Sequence, residues 1–147
     1  MEVLVLPRIT SFVYCEDAKQ EMTNQGVKLH VSNPFASLLP MFVPGSFSFS
    51  VCIGIAGINP EKEHTLRYIF RPTDNSSAPL IDTGELKFFM SNDPGLSFVP
   101  IDYQGAVLSM DFKNTVFRKN GEYVSDIYIN GELVAEYPIM VHGRESL

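Results

Sequence analysis

The clearest pattern in the chain is Ser46 to Gly57, SFSFSVCIGIAG. Phe47, Phe49, Val51, Ile53 and Ile55 hold the odd positions; Ser46, Ser48, Ser50, Cys52, Gly54 and Ala56 hold the even ones. Successive side chains of a strand point to opposite faces, so one face here is large and apolar and the other small. A helical period of 3.6 does not separate these sets. The stretch predicts a long central strand with its large face on the core. Its small face is expected to lie under a covering loop or a second subunit, because an apolar, proline-rich segment leads directly into it.

The same alternation recurs along the chain. Glu2 to Cys15 predicts one or two strands, with Ile9, Val13 and Cys15 on one face and Phe12 and Tyr14 on the other. Glu16 to Met22 is polar and helix-permissive but too short to stand as a helix alone. After a turn at Asn24-Gln25-Gly26, Val27, Leu29 and Val31 alternate with Lys28, His30 and Ser32, the mark of a half-buried strand. Leu66, Tyr68 and Phe70 alternate within 62–71, and Leu108, Met110 and Phe112 within 106–117. A further strand over 80–90 is expected to break near Thr83-Gly84, and 72–79 and 91–95 are dense in turn formers.

The last unit, Glu122 to Val141, predicts a hairpin with its tip at Asn130-Gly131. One residue of slip flips a strand's buried set. An odd-length loop with Gly131 as a left-handed bulge residue aligns Tyr123, Ile127 and Ile129 with Leu133, Ala135, Tyr137, Ile139 and Val141. Eight to nine strands spaced by turns, with almost no helical periodicity, predict an all-β antiparallel sandwich, immunoglobulin-like or jelly-roll-like, ahead of a closed β-barrel. One domain is expected over 1–147, with 142–147 a frayed tail.

Asn33 to Gly45, NPFASLLPMFVPG, breaks the pattern. Pro34, Pro40 and Pro44 exclude a regular central strand or helix. Yet Phe35, Leu38, Leu39, Met41, Phe42 and Val43 are too apolar for a solvated loop. The segment reads either as a crossover packed over the end of the core or as an exposed apolar rim that meets a partner.

Composition narrows the functions. The chain is acidic, with a net charge of −6, and its 11 lysines and arginines form no run longer than Arg118-Lys119. That argues against a nucleic-acid binder. Met1 to Leu6 is apolar but short and ends at Pro7-Arg8, and no later run approaches the ~18 apolar residues of a membrane span. A cytoplasmic protein with no membrane partner is expected. Cys15 and Cys52 then read as two buried thiols, a disulfide being the other possibility if their strands adjoin. Asn75-Ser76-Ser77 matches a glycosylation sequon but reads as a polar turn in that compartment.

Three features together resemble a family of short bacterial β-proteins of unknown function. They are Phe12-Val13-Tyr14-Cys15-Glu16, the proline-rich stretch that feeds the alternating strand, and the closing Gly121-Glu122-Tyr123…Ile129-Asn130-Gly131-Glu132 hairpin. The resemblance implies a compact β-fold and brings no activity. The Gly-x-Tyr opening is also similar to that of immunoglobulin-like sandwiches, in which a tyrosine at this corner hydrogen-bonds backbone. Ser125 stands where those domains carry a cysteine, and the chain has no tryptophan.

Candidate chemistry is sparse. His30, His64 and His142 are far apart and lack partners at metal-ligand spacing, so they read as surface or loop residues. No G-x-S-x-G, P-loop or G-x-G-x-x-G occurs. Glu132 with Glu136, and Glu16 with Asp17, read as solvated faces rather than a glycosidase pair. The expected function is a non-enzymatic protein-interaction or assembly module, with a protein partner or self-association, no nucleic acid, and no cofactor or metal. Its candidate surface is Phe35, Leu38, Leu39, Met41, Phe42 and Val43. The alternative is a small-ligand or carbohydrate-binding module with a pocket between the sheets or at the 72–79 and 91–105 loops. An enzyme would need His30, His64 or His142 to meet a carboxylate or Cys15.

Overall fold

The protein is a β-sandwich, seen in a computed structural model that describes residues 6–24, 26–74, 78–89 and 98–145. Sheet one contains β1 (Arg8–Thr23), β2 (Gly26–Pro34), β4 (Gly45–Ala56) and β8 (Gly105–Phe117), in the order β2-β1-β4-β8. Sheet two contains β3 (Ser37–Leu38), β10 (Glu132–Val141), β9 (Gly121–Ile129), β5 (His64–Pro72) and β6 (Ile81–Asp82), in the order β3-β10-β9-β5-β6, with β7 (Leu86–Phe88) also on β5. All pairings are antiparallel except β3 with β10. The sheets stay separate and do not close into a barrel. The expected break at Thr83-Gly84 falls between β6 and β7. The sequon at 75–77 and the turn at 91–95 lie outside the described residues.

Strand β4 sits between β1 and β8 and is buried on both faces. Phe49, Val51, Ile53 and Ile55 turn inward and are at most 3% exposed. They meet Tyr14 from β1, Leu66, Tyr68 and Phe70 from β5, and Tyr123, Ile127 and Ile129 from β9. Phe70 is the hub of the aromatic packing. Its ring lies 5.4 Å from Phe49, 5.4 Å and nearly parallel from Tyr123, and 6.0 Å edge-on from Phe117.

The small face of β4 is crowded from within its own sheet, and the 33–45 segment does not cover it. Cys15 of β1 lies over Cys52, Asp111 of β8 accepts a hydrogen bond from Ser50 Oγ at 2.5 Å, and the Thr10 and Ser11 hydroxyls crowd Gly54. Small residues are required because neighbouring side chains already occupy that space. The 33–45 segment crosses instead to sheet two. Phe35 packs on Phe47, Leu38 enters the core, and β3 pairs with β10. This is the crossover reading of that stretch. The Val43–Pro44 peptide is cis.

Three expectations need correction. Residues 16–22, helix-permissive by sequence, are strand, because they continue β1 and pair with β2 from Asp17↔Ser32 to Met22↔Val27. Pairing along a ladder outweighs local propensity here. The final hairpin closes with a two-residue turn, Asn130 at φ 53° and Gly131 at φ 84°, as in a type I′ turn, so Ile129 faces Glu132. The register then shifts between Leu133 and Ala135, and beyond this β-bulge Ala135 faces Ile127 and Ile139 faces Tyr123. From Ala135 onward the apolar alignment is the one expected, reached by a bulge instead of an odd loop; Leu133, expected opposite Ile129, faces Tyr128 and is exposed. Nor does the start of the 142–147 tail fray. The backbone amides of His142, Arg144 and Glu145 donate to the carbonyls of Leu38, Pro40 and Met41.

The β4–β8 contact is tightest at Gly105, where a Cβ would run into the Ile55 carbonyl and sit 2.8 Å from Ala56 Cα. Gly105→Ala must therefore push the two strands apart. A loss of about 1–3 kcal/mol is expected for such overpacking, measured by urea unfolding. A variant as stable as wild type would contradict this close approach.

Candidate functional site

The interior carries a chain of hydroxyls between the sheets. Tyr68 Oη lies 2.6 Å from Ser125 Oγ, Ser125 Oγ lies 2.5 Å from Tyr14 Oη, and Tyr14 donates to the Tyr137 carbonyl at 2.7 Å. Each hydroxyl has one proton. Because Tyr14 spends its own on Tyr137, Ser125 donates to Tyr14 and Tyr68 donates to Ser125. Tyr68 and Ser125 are fully buried. Burial pushes both phenols above the ordinary tyrosine range. Behind Ser125, on the other face of β9, buried Asp126 accepts from Arg71 Nε at 2.7 Å. Two residues earlier, Tyr123 Oη donates to the Lys119 carbonyl at 2.8 Å. This is the tyrosine corner of immunoglobulin-like sandwiches. The hydroxyl chain runs through Ser125, where those domains have their cysteine.

The two cysteines are buried, free and on adjacent strands, with their sulfurs 4.0 Å apart. Burial pushes the Cys15 thiol up to about 12, with the Cys52 thiol adding to the shift, and Cys52 moves the same way. Both are protonated thiols rather than nucleophiles.

The histidines do not converge. His64 is buried, against the expectation of a surface or loop residue, because the β9–β10 turn folds over it. Its Nε2 donates to the Asn59 carbonyl at 2.7 Å and its Nδ1 accepts from Asn130 Nδ2 at 3.0 Å. His30 meets Glu21 at 2.5 Å on the exposed polar side of β1–β2. His142 bonds the adjacent Gly143 carbonyl. Among the described residues, no group of three or more His, Cys, Asp and Glu side chains is placed to hold a metal. Glu132 and Glu136 are solvent-exposed, as read from the sequence. Asp126 was not singled out, since an isolated Asp in a strand signals nothing until Arg71 is placed beside it.

The rim at 35–43 divides. Leu38 is fully buried, and Phe35 and Val43 pack on the core, so these three do not form an exposed apolar rim. Leu39, Met41 and Phe42 remain exposed. A second exposed apolar surface lies on β1–β2. Past Cys15, β1 leaves β4 and pairs only with β2, forming a two-stranded ribbon. The register puts Ala18, Gln20 and Met22 beside Val31, Leu29 and Val27 on the face that carries Tyr14 in the core. Met22 is 79% exposed and Val27 56%.

At the opposite edge of sheet one, β8 and the 78–81 segment enclose an open groove of about 980 Å³. Leu80, Ile81 and Phe112 form its apolar floor, and Lys113, Arg118 and Lys119 its cationic side.

The architecture is that of a β-sandwich with a tyrosine corner. The chain belongs to the family of unknown function DUF6941, whose model matches residues 10–142. No curated protein matches its sequence. Among solved structures it is similar to the alkylpurine DNA glycosylase AlkC of Pseudomonas fluorescens bound to DNA containing an abasic site analog. That likeness has a TM-score of 0.50 and 9% identity, and covers 92% of this chain and 30% of that one. A β-glucosidase of Listeria innocua in complex with isofagomine gives a TM-score of 0.45 at 14% identity, over 76% of this chain and 16% of that one. An immunoglobulin-like protein of Pseudomonas aeruginosa gives 0.41 at 14% identity, over 96% of this chain and all of that one. The chain thus spans under a third of the glycosylase chain and a smaller part of the glucosidase. At these identities the likeness bears on the fold alone.

Two measurements test this interior. Ser125→Ala leaves Tyr68 without an acceptor and Tyr14 without a donor, at an expected cost of about 1–3 kcal/mol. Adding Tyr68→Phe should recover part of it, so the double variant loses less than the sum of the singles. Strict additivity would mean that the hydroxyls do not act together. The second measurement is alkaline. The unfolded chain releases thiol protons near pH 9 and phenol protons near pH 10, whereas the folded protein holds them to higher pH. Above about pH 9 the unfolded state binds fewer protons, so stability falls as pH rises. Urea midpoints should be level below that point and decline beyond it. Cys15→Ala/Cys52→Ala should delay the onset to the phenol range.

Proposed function

We propose that this protein is a non-enzymatic interaction module that self-associates through the β1–β2 ribbon. The observation that carries this reading is the ribbon's apolar face. It continues the core side of sheet one past the point where sheet two covers it. A two-stranded ribbon is marginal by itself in water, and burying this face would stabilise it. Glu16 also lies on this face, where it accepts from Asn33 Nδ2 at 3.0 Å, but the residues beyond it, Ala18, Gln20, Met22, Val27, Leu29 and Val31, carry no charge. A second copy that meets this outer part about a two-fold axis leaves the Glu16 carboxylates at the rim and limits the like-charge cost, despite the chain's net charge of −6. A patch on the order of a few hundred Å² suits a reversible assembly rather than an obligate one.

The inert character of the reactive groups supports the non-enzymatic part. The thiols are buried and held protonated, both nitrogens of His64 are engaged, and Asp126 is neutralised by Arg71. His30 and Glu21 form a solvated pair on the ribbon. No helix among the described residues is long and apolar enough to cross a membrane, and two free thiols 4.0 Å apart fit a reducing compartment such as the cytoplasm.

Light scattering after size exclusion, over roughly two decades of micromolar concentration, tests the proposal. The wild type should rise in mass with concentration. Met22→Glu/Val27→Glu should stay monomeric, with a melting temperature equal to that of the wild type at concentrations where the wild type is also monomeric. A wild type that is monomeric throughout, or a variant that associates equally, would sink it.

A further inference from the structure

We propose that the groove beside β8 binds an extended peptide of alternating apolar and acidic residues, added as a strand to the free edge of β8. This site is independent of the ribbon, since β2 and β8 are the two opposite edges of sheet one.

The groove lies on the open flank of the sandwich, where both sheets end: β8 closes sheet one and β6 closes sheet two. Among the described residues, no strand pairs with the outer edge of β8, which runs for 13 residues. Such an edge is a template for another strand. It is blunted in two ways. The register with β4 shifts between Phe47 and Phe49, where β8 carries an extra residue at Lys113-Asn114 with Asn114 at φ 55°. Its rim also bears Lys113 and Arg118. Two copies of this edge repel each other, so the devices disfavour self-pairing while favouring an acidic strand.

Charge and polarity agree on that occupant. On a chain of net charge −6, three of the 11 basic residues line this groove. Lys119 is paired with Asp74 at 2.8 Å, whereas Lys113 and Arg118 have no acidic partner among the described residues. Asp111, the one acid in the lining, holds the Ser50 hydroxyl and marks an end where a carboxylate is unwelcome. Inward-facing side chains of an added strand would meet the half-buried Leu80, Ile81 and Phe112. Outward-facing ones would run beside Lys113 and Arg118. That arrangement selects an apolar–acidic alternation.

The far wall is built before any ligand arrives. Arg67 grips Asp82 through two hydrogen bonds, of 3.0 and 2.6 Å. Thr83 Oγ1 accepts from the Tyr68 amide at 3.0 Å, and the Leu80 amide donates to the Phe70 carbonyl at 2.8 Å. Binding therefore orders the peptide more than the protein, which favours affinity.

Fluorescence anisotropy would be measured with labelled peptides of about ten residues, the span of a strand, alternating valine or isoleucine with glutamate or aspartate. Saturable binding is expected, with lysine-substituted peptides failing to bind. Lys113→Glu/Arg118→Glu should weaken binding by roughly tenfold or more without changing the melting temperature, and added salt should act in the same direction. N-methylation of alternate peptide amides should abolish binding, and amide exchange of β8 should slow in the complex. Four results would overturn the proposal: no binding by any alternating acidic peptide, equal binding by the double variant, indifference to N-methylation, or full displacement by equimolar hexanoate. The last would identify a site for small amphipathic anions instead.

Discussion

Two-sided burial of β4 is the constraint on which the structure rests. Its large side chains go inward to Tyr14, Phe70 and Ile127, and each fully buried aliphatic or aromatic group there contributes about 1.5–3 kcal/mol. Its small side chains are small because side chains of β1 and β8 lean across them within the same sheet. Enlarging one side disturbs the other. The closeness of Cys15 to Cys52 follows from this crowding, while the need for glycine at position 105 follows from the close approach of the β4 and β8 backbones. With both flanks of β4 taken, sheet one can end only at β2 and β8.

Those two ends differ in chemistry for physical reasons. Sheet one is longer than the sheet that faces it, so the far half of β1 carries a core-type face beyond the core. Beyond Glu16, one face of that end is uncharged and largely apolar, and it suits a like surface. At the β8 end, the sheets part and leave a groove whose floor is apolar and whose side is cationic. That end rejects its own kind and suits an acidic strand. The sandwich is thus asymmetric in what it can contact, although both contacts would come from edges of a single sheet.

Most of the fold was readable wherever one face of a strand is buried, since period-two alternation then records the core directly. Strands β4, β5 and β8 were found that way. The ribbon half of β1 was not, because Glu16 to Met22 has only Ala18 and Met22 to signal a face. Its strand character comes from pairing with β2. The bulge at Val134 was invisible because an odd loop and a two-residue turn plus a bulge give the same downstream alignment. His64, Asp126 and the groove were missed for a common reason. Each depends on partners about 30 or more residues away: Asn130 on His64, Arg71 on Asp126, and Leu80 across from Phe112 in the groove. The apolar residues of 33–45 were noticed, but proline-broken backbone gives no period from which to sort Leu38 inward and Met41 outward.

The hydroxyl chain through Ser125 shows how the sheets are joined without a covalent bond. In immunoglobulin domains a disulfide occupies this position, and its contribution comes largely from restricting the unfolded chain, by about 2–4 kcal/mol. Ser125 offers no such restriction. It supplies two short hydrogen bonds in a dry interior, where leaving any member unpaired costs more than the bond itself contributes. The chain therefore acts through specificity: only one registry of β1 against β9 and β5 satisfies all three hydroxyls and the Tyr137 carbonyl at once. A sandwich built this way needs no oxidising compartment. Its own cysteines, placed together on the outer side of sheet one, remain available as close-packed thiols rather than as a cross-link.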